Sequence, residues 1–479
     1  MLLALCALGT FVLFSAFGDY LIQPDSLVVI VVSLFFFAFM AIVAGYSREH
    51  VDQSKWLTFA IWWGLLVSEE VFSYRSALTK VSGAEFASEA YAQAILWVIA
   101  LGALIIVLLK HPHDLQGMFQ GDYKWVTWLT VVSIVSCVFS PNIAFSLAWA
   151  FKLGLVVLLV HLCTRQLADV KSIRAFLGTT IGALIVLTVI PTIRSLIEPD
   201  PLADPTGELQ QRFHEGPTAI SGLAGLMLIL CLTLYSSSRR KYLLWIAALG
   251  FVLMVMAGGK AGIAAGFVSG MLFYALQKRF KAAVGFVAIL ALAFALALEF
   301  TPLSQYFANY MKLEQFSSFT GRTDLWAFVM PFILQKPILG HGFNASRFVA
   351  VIHPETPFSS SHMHNSLVEV LYNNGLVGLV LLLMVLFVMG RNLWRTIEKS
   401  ASPELRFLAV GCFASLINLF INGMFNATFG GRPDASYMIL IALVIISTQL
   451  WRLSQVQVLA PIHVQHRIDI FDHSPALAP

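Results

Sequence analysis

Residues 359–390 read SSSHMHNSLVEVLYNNGLVGLVLLLMVLFVMG. From 368 to 390 the run is apolar and uncharged apart from Glu369, long enough to cross a bilayer. Directly before it stand His362, His364 and Asn365. Imidazole is costly near hydrocarbon and titrates near neutral pH. The stretch therefore predicts a membrane helix with a polar mouth. The pair at its entrance reads as an active site, a metal site or a helix cap.

Composition extends the membrane reading to the whole chain. Its 479 residues are 58% hydrophobic and 12% charged, where soluble domains carry about 25% charged residues. Apolar runs recur near 2–18, 26–46, 56–72, 91–109, 125–140, 143–163, 174–194, 218–236, 242–257, 261–276, 283–300, 368–390, 406–424 and 437–451. The expected fold is all-α and polytopic, with about 12–14 transmembrane helices. Five cysteines lie in apolar runs without CxxC or Cys/His ligand spacing, so neither a disulfide framework nor a zinc site is expected. The N-terminus lacks a basic n-region and reads as the first span. A pI of about 8.7 marks topology here and not nucleic-acid binding.

With the N-terminus in the cytoplasm and sides alternating, nineteen of the thirty Lys and Arg residues fall in inner loops. This obeys the positive-inside rule and puts 195–217 and 301–367 outside. The chain divides into N-terminal spans (1–300), a large outer loop (301–367), C-terminal spans (368–451) and a cytoplasmic tail (452–479). Within the loop, TGRTDLWAFVMPFILQKPILGHGF predicts an interfacial helix capped by Thr323 and stopped by Pro337, apolar at Trp326, Phe328, Val329, Phe332 and Ile333.

Charges at the membrane edge are functional candidates. Lys152 sits within a span, where it snorkels, pairs with Glu69 or Glu70, or serves a site. Arg212 precedes a span and either pairs with Glu208 or Glu215 or binds a ligand. Lys260 sits in AGGKAG at a helix start, where a cation and free amides suit phosphate. His362 and His364 would point to opposite sides of a strand, or about 160° apart on a helix, which argues against a shared metal. His362 reads as a solvated cap. His364 at the mouth of a span suits a general base.

HNSLVEVLYNNGLVG (364–378) resembles the HN-x-x-L…G-x-x-G pattern of the O-antigen ligase and Wzy-type polymerase family. GRTDLWAFVMPFILQKPILGHGFNASRF (321–348) resembles its G-R-x-x-x-W and P-x-x-G-x-G block. MAGGKAGIAAGFVSG (256–270), QQRFHEGPTAISGLAG (210–225) and FSPNIAFSLAWAFKLG (139–154) resemble three further segments in the right order. The resemblance covers roughly 130–450 and implies a GT-C-like membrane glycosyltransferase with a large periplasmic loop, in the bacterial inner membrane.

It implies metal-independent transfer, without a cofactor, from an undecaprenyl-diphosphate-linked glycan to an acceptor glycan or lipid A core. The active site would face the periplasm. By position, His364 matches the essential histidine and Arg212 the outer arginine, both catalytic. Arg212, Lys260 and Arg322 would hold the diphosphate, with Lys152, Asn365 and Glu369 in support. Thr218 replaces the family's frequent Asn, and lysine replaces arginine at 260, which forgoes bidentate phosphate binding and leans toward an exopolysaccharide polymerase. The remaining expected partners are the bilayer and a chain-length regulator, with no nucleic acid. A lipid-linked glycan flippase is the rival class, but inverted repeats and paired broken helices are not evident in the sequence.

Overall fold

The computed structural model describes residues 53–71, 97, 117–197, 217–299, 322–352 and 362–472. The spans expected at 2–18 and 26–46, and all but Trp97 of that at 91–109, lie outside them. Among the described residues the fold is helical with no strand. The helices are α1 (Gln53–Val71), α2 (Lys124–Ser136), α3 (Ile143–Gln166), α4 (Val170–Ile197), α5 (Pro217–Ser238), α6 (Tyr242–Met256), α7 (Lys260–Leu276) and α8 (Phe280–Glu299). After them come α9 (Arg322–Gln335), α10 (Ser366–Lys399), α11 (Pro403–Phe425) and α12 (Ala435–Asp472). Six are long and apolar enough to cross a membrane: α3, α4, α5, α10, α11 and α12. Helices α2, α6 and α7 carry shorter apolar stretches, as does Thr58–Val67 of α1. The chain is thus a multi-pass, all-α membrane protein. Helix α12 runs on to Asp472, so the segment after 451 begins as its continuation.

Large apolar side chains such as Trp245, Phe280 and Val284 remain exposed on the outside of the bundle, as lipid contact allows. One end of the bundle is basic and tied by ions. Arg174 pairs with Glu404 at 2.6 Å, and Arg391 with Asp122 at 2.9 Å. Glu404 also accepts from Ser237 at 3.2 Å. The other end gathers the polar loops. There Ser221 at the start of α5 donates to the carbonyls of Met254 and Gly259 (2.9 and 3.2 Å), fixing the turn that presents Lys260.

Helix α10 is broken. Gly375 has φ 65° and ψ −164°, which interrupts the helical ladder. Backbone groups freed in an apolar setting must find partners, and the Pro337–Gly342 segment provides them. Leu376 and Val377 donate to the carbonyls of Pro337 and Ile338 (2.7 and 3.2 Å). His341 and Gly342 donate to those of Tyr372 and Asn373 (2.8 and 2.9 Å). Beside the break, Asn374 donates to Ser133 (2.9 Å) and accepts from Ser136 (3.1 Å), holding α2. The P-x-x-G-x-G block is thus the backbone complement of the broken span.

Candidate active site

The first nine residues of α10 form a half-helix that aims the HMHN loop. Its N-cap is Asn365, whose side-chain oxygen accepts from the amides of Leu367 and Val368 (2.9 and 3.2 Å), while its amide donates to Met424 O at 3.2 Å. These bonds make Asn365 the cap of the helix. Ser366 stitches the half-helix to the loop after α11, donating to Asn426 O and accepting from the amides of Thr428 and Phe429.

Met363 is the pin between the two histidines. Its side chain is buried with Leu325, Val329, Ile333, Ala345, Val349 and Tyr372. Its amide donates to Glu369 Oε2 at 2.7 Å, and its carbonyl accepts from Trp326 Nε1 at 2.8 Å. With the middle residue turned inward, His362 and His364 share one place. Their rings lie 4.0 Å apart, edge to face. The straight-strand and helix geometries, which separate an H-x-H pair, do not apply to this loop. His364 has φ 49°, the left-handed region that non-glycine residues rarely occupy. Such strain gathers at functional sites.

Glu369 is 1% exposed. It accepts from the Met363 amide, from the Ser346 hydroxyl and from Asn373 Nδ2 at 3.3 Å. Asn373 also accepts from the Ser346 amide (2.9 Å) and donates to Gly430 O (3.0 Å). The carboxylate therefore braces the loop from behind.

Cations surround the pair. Arg322 acts electrostatically on both His364 and Lys260, and Arg347 acts on His362 and Glu369. Burial, the neighbouring His362 and Arg322 hold the His364 pKa down at about 3. Burial, with Arg347 and Arg322, holds that of His362 at about 4. Both imidazoles are neutral at pH 7. Among the described residues, no group of three or more His, Cys, Asp or Glu is placed to hold a metal ion.

The structure thus brings together His364, Lys260, Arg322 and Glu369 of the expected set. Arg212 lies outside the described residues, as do Glu208 and Glu215. Lys152 does not snorkel: it is fully buried, its ammonium 5.1 Å from the Trp97 ring and 5.3 Å from the Trp149 ring. The side chains of Glu69 and Glu70 lie outside the described residues. Arg432 covers Trp149 as well, at 4.8 Å. A line of rings, Trp149, Phe145 and Phe348, leads from this cluster to Arg347.

Sequence reasoning gave no role to Arg347 or Ser346, and none to His362 beyond a solvated cap. A further cation on the same outer segment was the available signal for Arg347. Helix α9 begins at Arg322, so Thr323 lies inside it and is not its cap. The buried stripe is Leu325, Val329 and Ile333, at fourfold spacing.

Comparison with known proteins reaches the same ground. Residues 224–383 match the family model described as "O-Antigen ligase". This segment contains Lys260, Arg322, Arg347, both histidines and the break at Gly375. A protein of Rickettsia felis (strain ATCC VR-1525 / URRWXCal2), named "Putative polysaccharide ligase", is 29% identical over 113 residues. That covers 22% of this chain and 26% of the relative, so the chain spans about a quarter of the length of the curated relative it matches. The resemblance carried by the HN motif and its neighbours is borne out: over residues 224–383 the chain is similar to the O-antigen ligase family.

Proposed function

We propose that this chain transfers a glycan from an undecaprenyl-diphosphate-linked donor to a sugar hydroxyl, polymerising exopolysaccharide or O-antigen repeats at the outer face of the bacterial inner membrane. The observation that carries the reading is the neutral His362–His364 pair on a strained turn, set among Arg322, Arg347 and Lys260. Glycosyl transfer needs negative charge stabilised on the leaving diphosphate and a proton removed from the acceptor. Lys260 and Arg322, with Arg212, would hold the diphosphate. His364 would take the acceptor proton, a contribution of roughly 10²- to 10⁴-fold. Direct attack by the hydroxyl oxygen on the anomeric carbon, with departure of the diphosphate, inverts that centre.

A pKa near 3 makes a weak base. Burial is the main cause of the depression; an arriving diphosphate would offset the smaller part that comes from Arg322 and raise the basicity of His364. The pair would then be activated where donor is bound. Glu369 is read as a positioning residue, acting on His364 through the Met363 amide. Phe145 and Phe348, both half-buried, offer ring surface against which sugars could pack.

The name of the Rickettsia relative, a polysaccharide ligase, favours a second reading, ligation, for which we take a lipid A core as the acceptor. Purified protein incubated with lipid-linked repeat, with and without lipid A core, separates the two. Longer lipid-linked chains without core are the expected result. Transfer only onto core would establish the ligase reading, and no glycan transfer in either mixture would sink both.

A further inference from the structure

The bundle end opposite the histidines carries a groove that the transfer reading does not use. Its volume is about 450 Å³, and it opens beside the last three turns of α10. Arg391, Arg395 and Lys399 line it at fourfold spacing, which sets them in one row on the helix. Beside that row the lining is apolar. Phe387 is 61% and Trp394 43% exposed, and Phe413 of α11 lies 6.0 Å from Trp394, ring to ring. Gly390 leaves the floor open between them. Exposed apolar surface at Phe387 and Trp394, interleaved with cations near the helix end, combines the two chemistries of a bilayer edge, acyl chain and headgroup.

The charges favour an anion. Arg391 is held by Asp122 from α2 at 2.9 Å, and Asp122 also accepts from Asn392 at 2.8 Å. Arg395 leans on Trp451 of α12, 5.8 Å from its ring. Glu398 is the one carboxylate in the lining, set against Arg395 and Lys399. With Arg391 and Asp122 cancelling, the groove keeps a net charge of +1. A phosphodiester carries −1. A zwitterionic headgroup would bring a second cation into a site already positive.

We propose that this groove binds the phosphodiester headgroup of an acidic phospholipid, with its acyl chains along Phe387 and Trp394. Such a site would anchor α10, the helix whose far end presents the histidines. The proposal rests on the groove alone and stands whether or not the transfer reading does.

Native mass spectrometry of the full chain tests it, with phosphatidylglycerol and phosphatidylcholine of matched acyl chains added at equal concentration. Preferential retention of phosphatidylglycerol is expected. The double variant Arg395→Gln with Lys399→Gln should bind it about 30-fold more weakly, the equivalent of about 1 kcal/mol per cation removed at 1.4 kcal/mol per decade. The charge-keeping pair Arg395→Lys with Lys399→Arg should hold it within about threefold. Equal retention of the two lipids by the unaltered chain overturns the proposal. So does undiminished binding by the glutamine variant, or loss of binding in the charge-keeping one.

Discussion

Replacing Glu369 with glutamine tests how the histidine turn is held. The carboxylate meets three donors: the Met363 amide at 2.7 Å, the Ser346 hydroxyl, and Asn373 Nδ2 at 3.3 Å. Glutamine has nearly the same shape but presents one acceptor and one donor group. The Ser346 hydroxyl can rotate to accept. Asn373 cannot flip without losing its bonds to the Ser346 amide and Gly430 O. One or two bonds to the buried carboxyl group are lost, each leaving an unsatisfied partner at a cost of about 1–3 kcal/mol, giving roughly 1–6 kcal/mol of loosening in the loop. A displacement of His364 near 1 Å would lower the rate about 100-fold. The assay is steady-state consumption of lipid-linked glycan by purified protein at matched levels. The expected effect falls on kcat, with KM for the donor changing less than about threefold, because Glu369 acts through Met363 and not on the donor. Glu369→Asp, shorter by one methylene, should recover part of the rate. Unaltered kcat in Glu369→Gln, or a loss carried by KM alone, refutes the positioning role.

Other predictions follow from neighbouring geometry. Gly342 has φ 113°, and a Cβ there would lie 2.7 Å from the backbone of Ser140; Gly342→Ala should cost about 3 kcal/mol, read as a lowered melting temperature in detergent. Asn365→Ala removes the cap of α10 and should cost about 1 kcal/mol, with faster hydrogen exchange at the Leu367 and Val368 amides. With the His364 pKa held near 3 in the free protein, kcat/KM should show no acid limb at pH 6.5, where an ordinary histidine would place one. The same depressed values mean that the unfolded chain takes up protons before the folded one. Thermal stability contributed by the pair should therefore be present above pH 6.5 and fall as pH drops toward 4.

The membrane fold was legible because its signal is local: twenty apolar residues and a few flanking cations suffice. The half-helix at 366–374 was also partly legible, since an HN followed by an apolar run reads as a cap and a span. The break at Gly375 was hidden. Glycine inside a span is common, and only the pairing of 337–342 with 372–377 shows that the ladder ends there. The meeting of His362 and His364 was missed for a similar reason. It depends on Met363 turning inward, which is set by Trp326 thirty-seven residues earlier and by Glu369 six residues later. The surroundings of Lys152 were hidden, and its three readings left open, because the tryptophan rings beside it come partly from Trp97, on another segment of the chain.

The most direct test of the account is His364→Ala assayed with purified protein, lipid-linked repeat and acceptor, with His362→Ala alongside. His364→Ala should lower glycan transfer by at least about 100-fold while the donor still binds, since Lys260 and Arg322 are untouched. Transfer at the unaltered rate by His364→Ala, at equal amounts of folded protein, would contradict it.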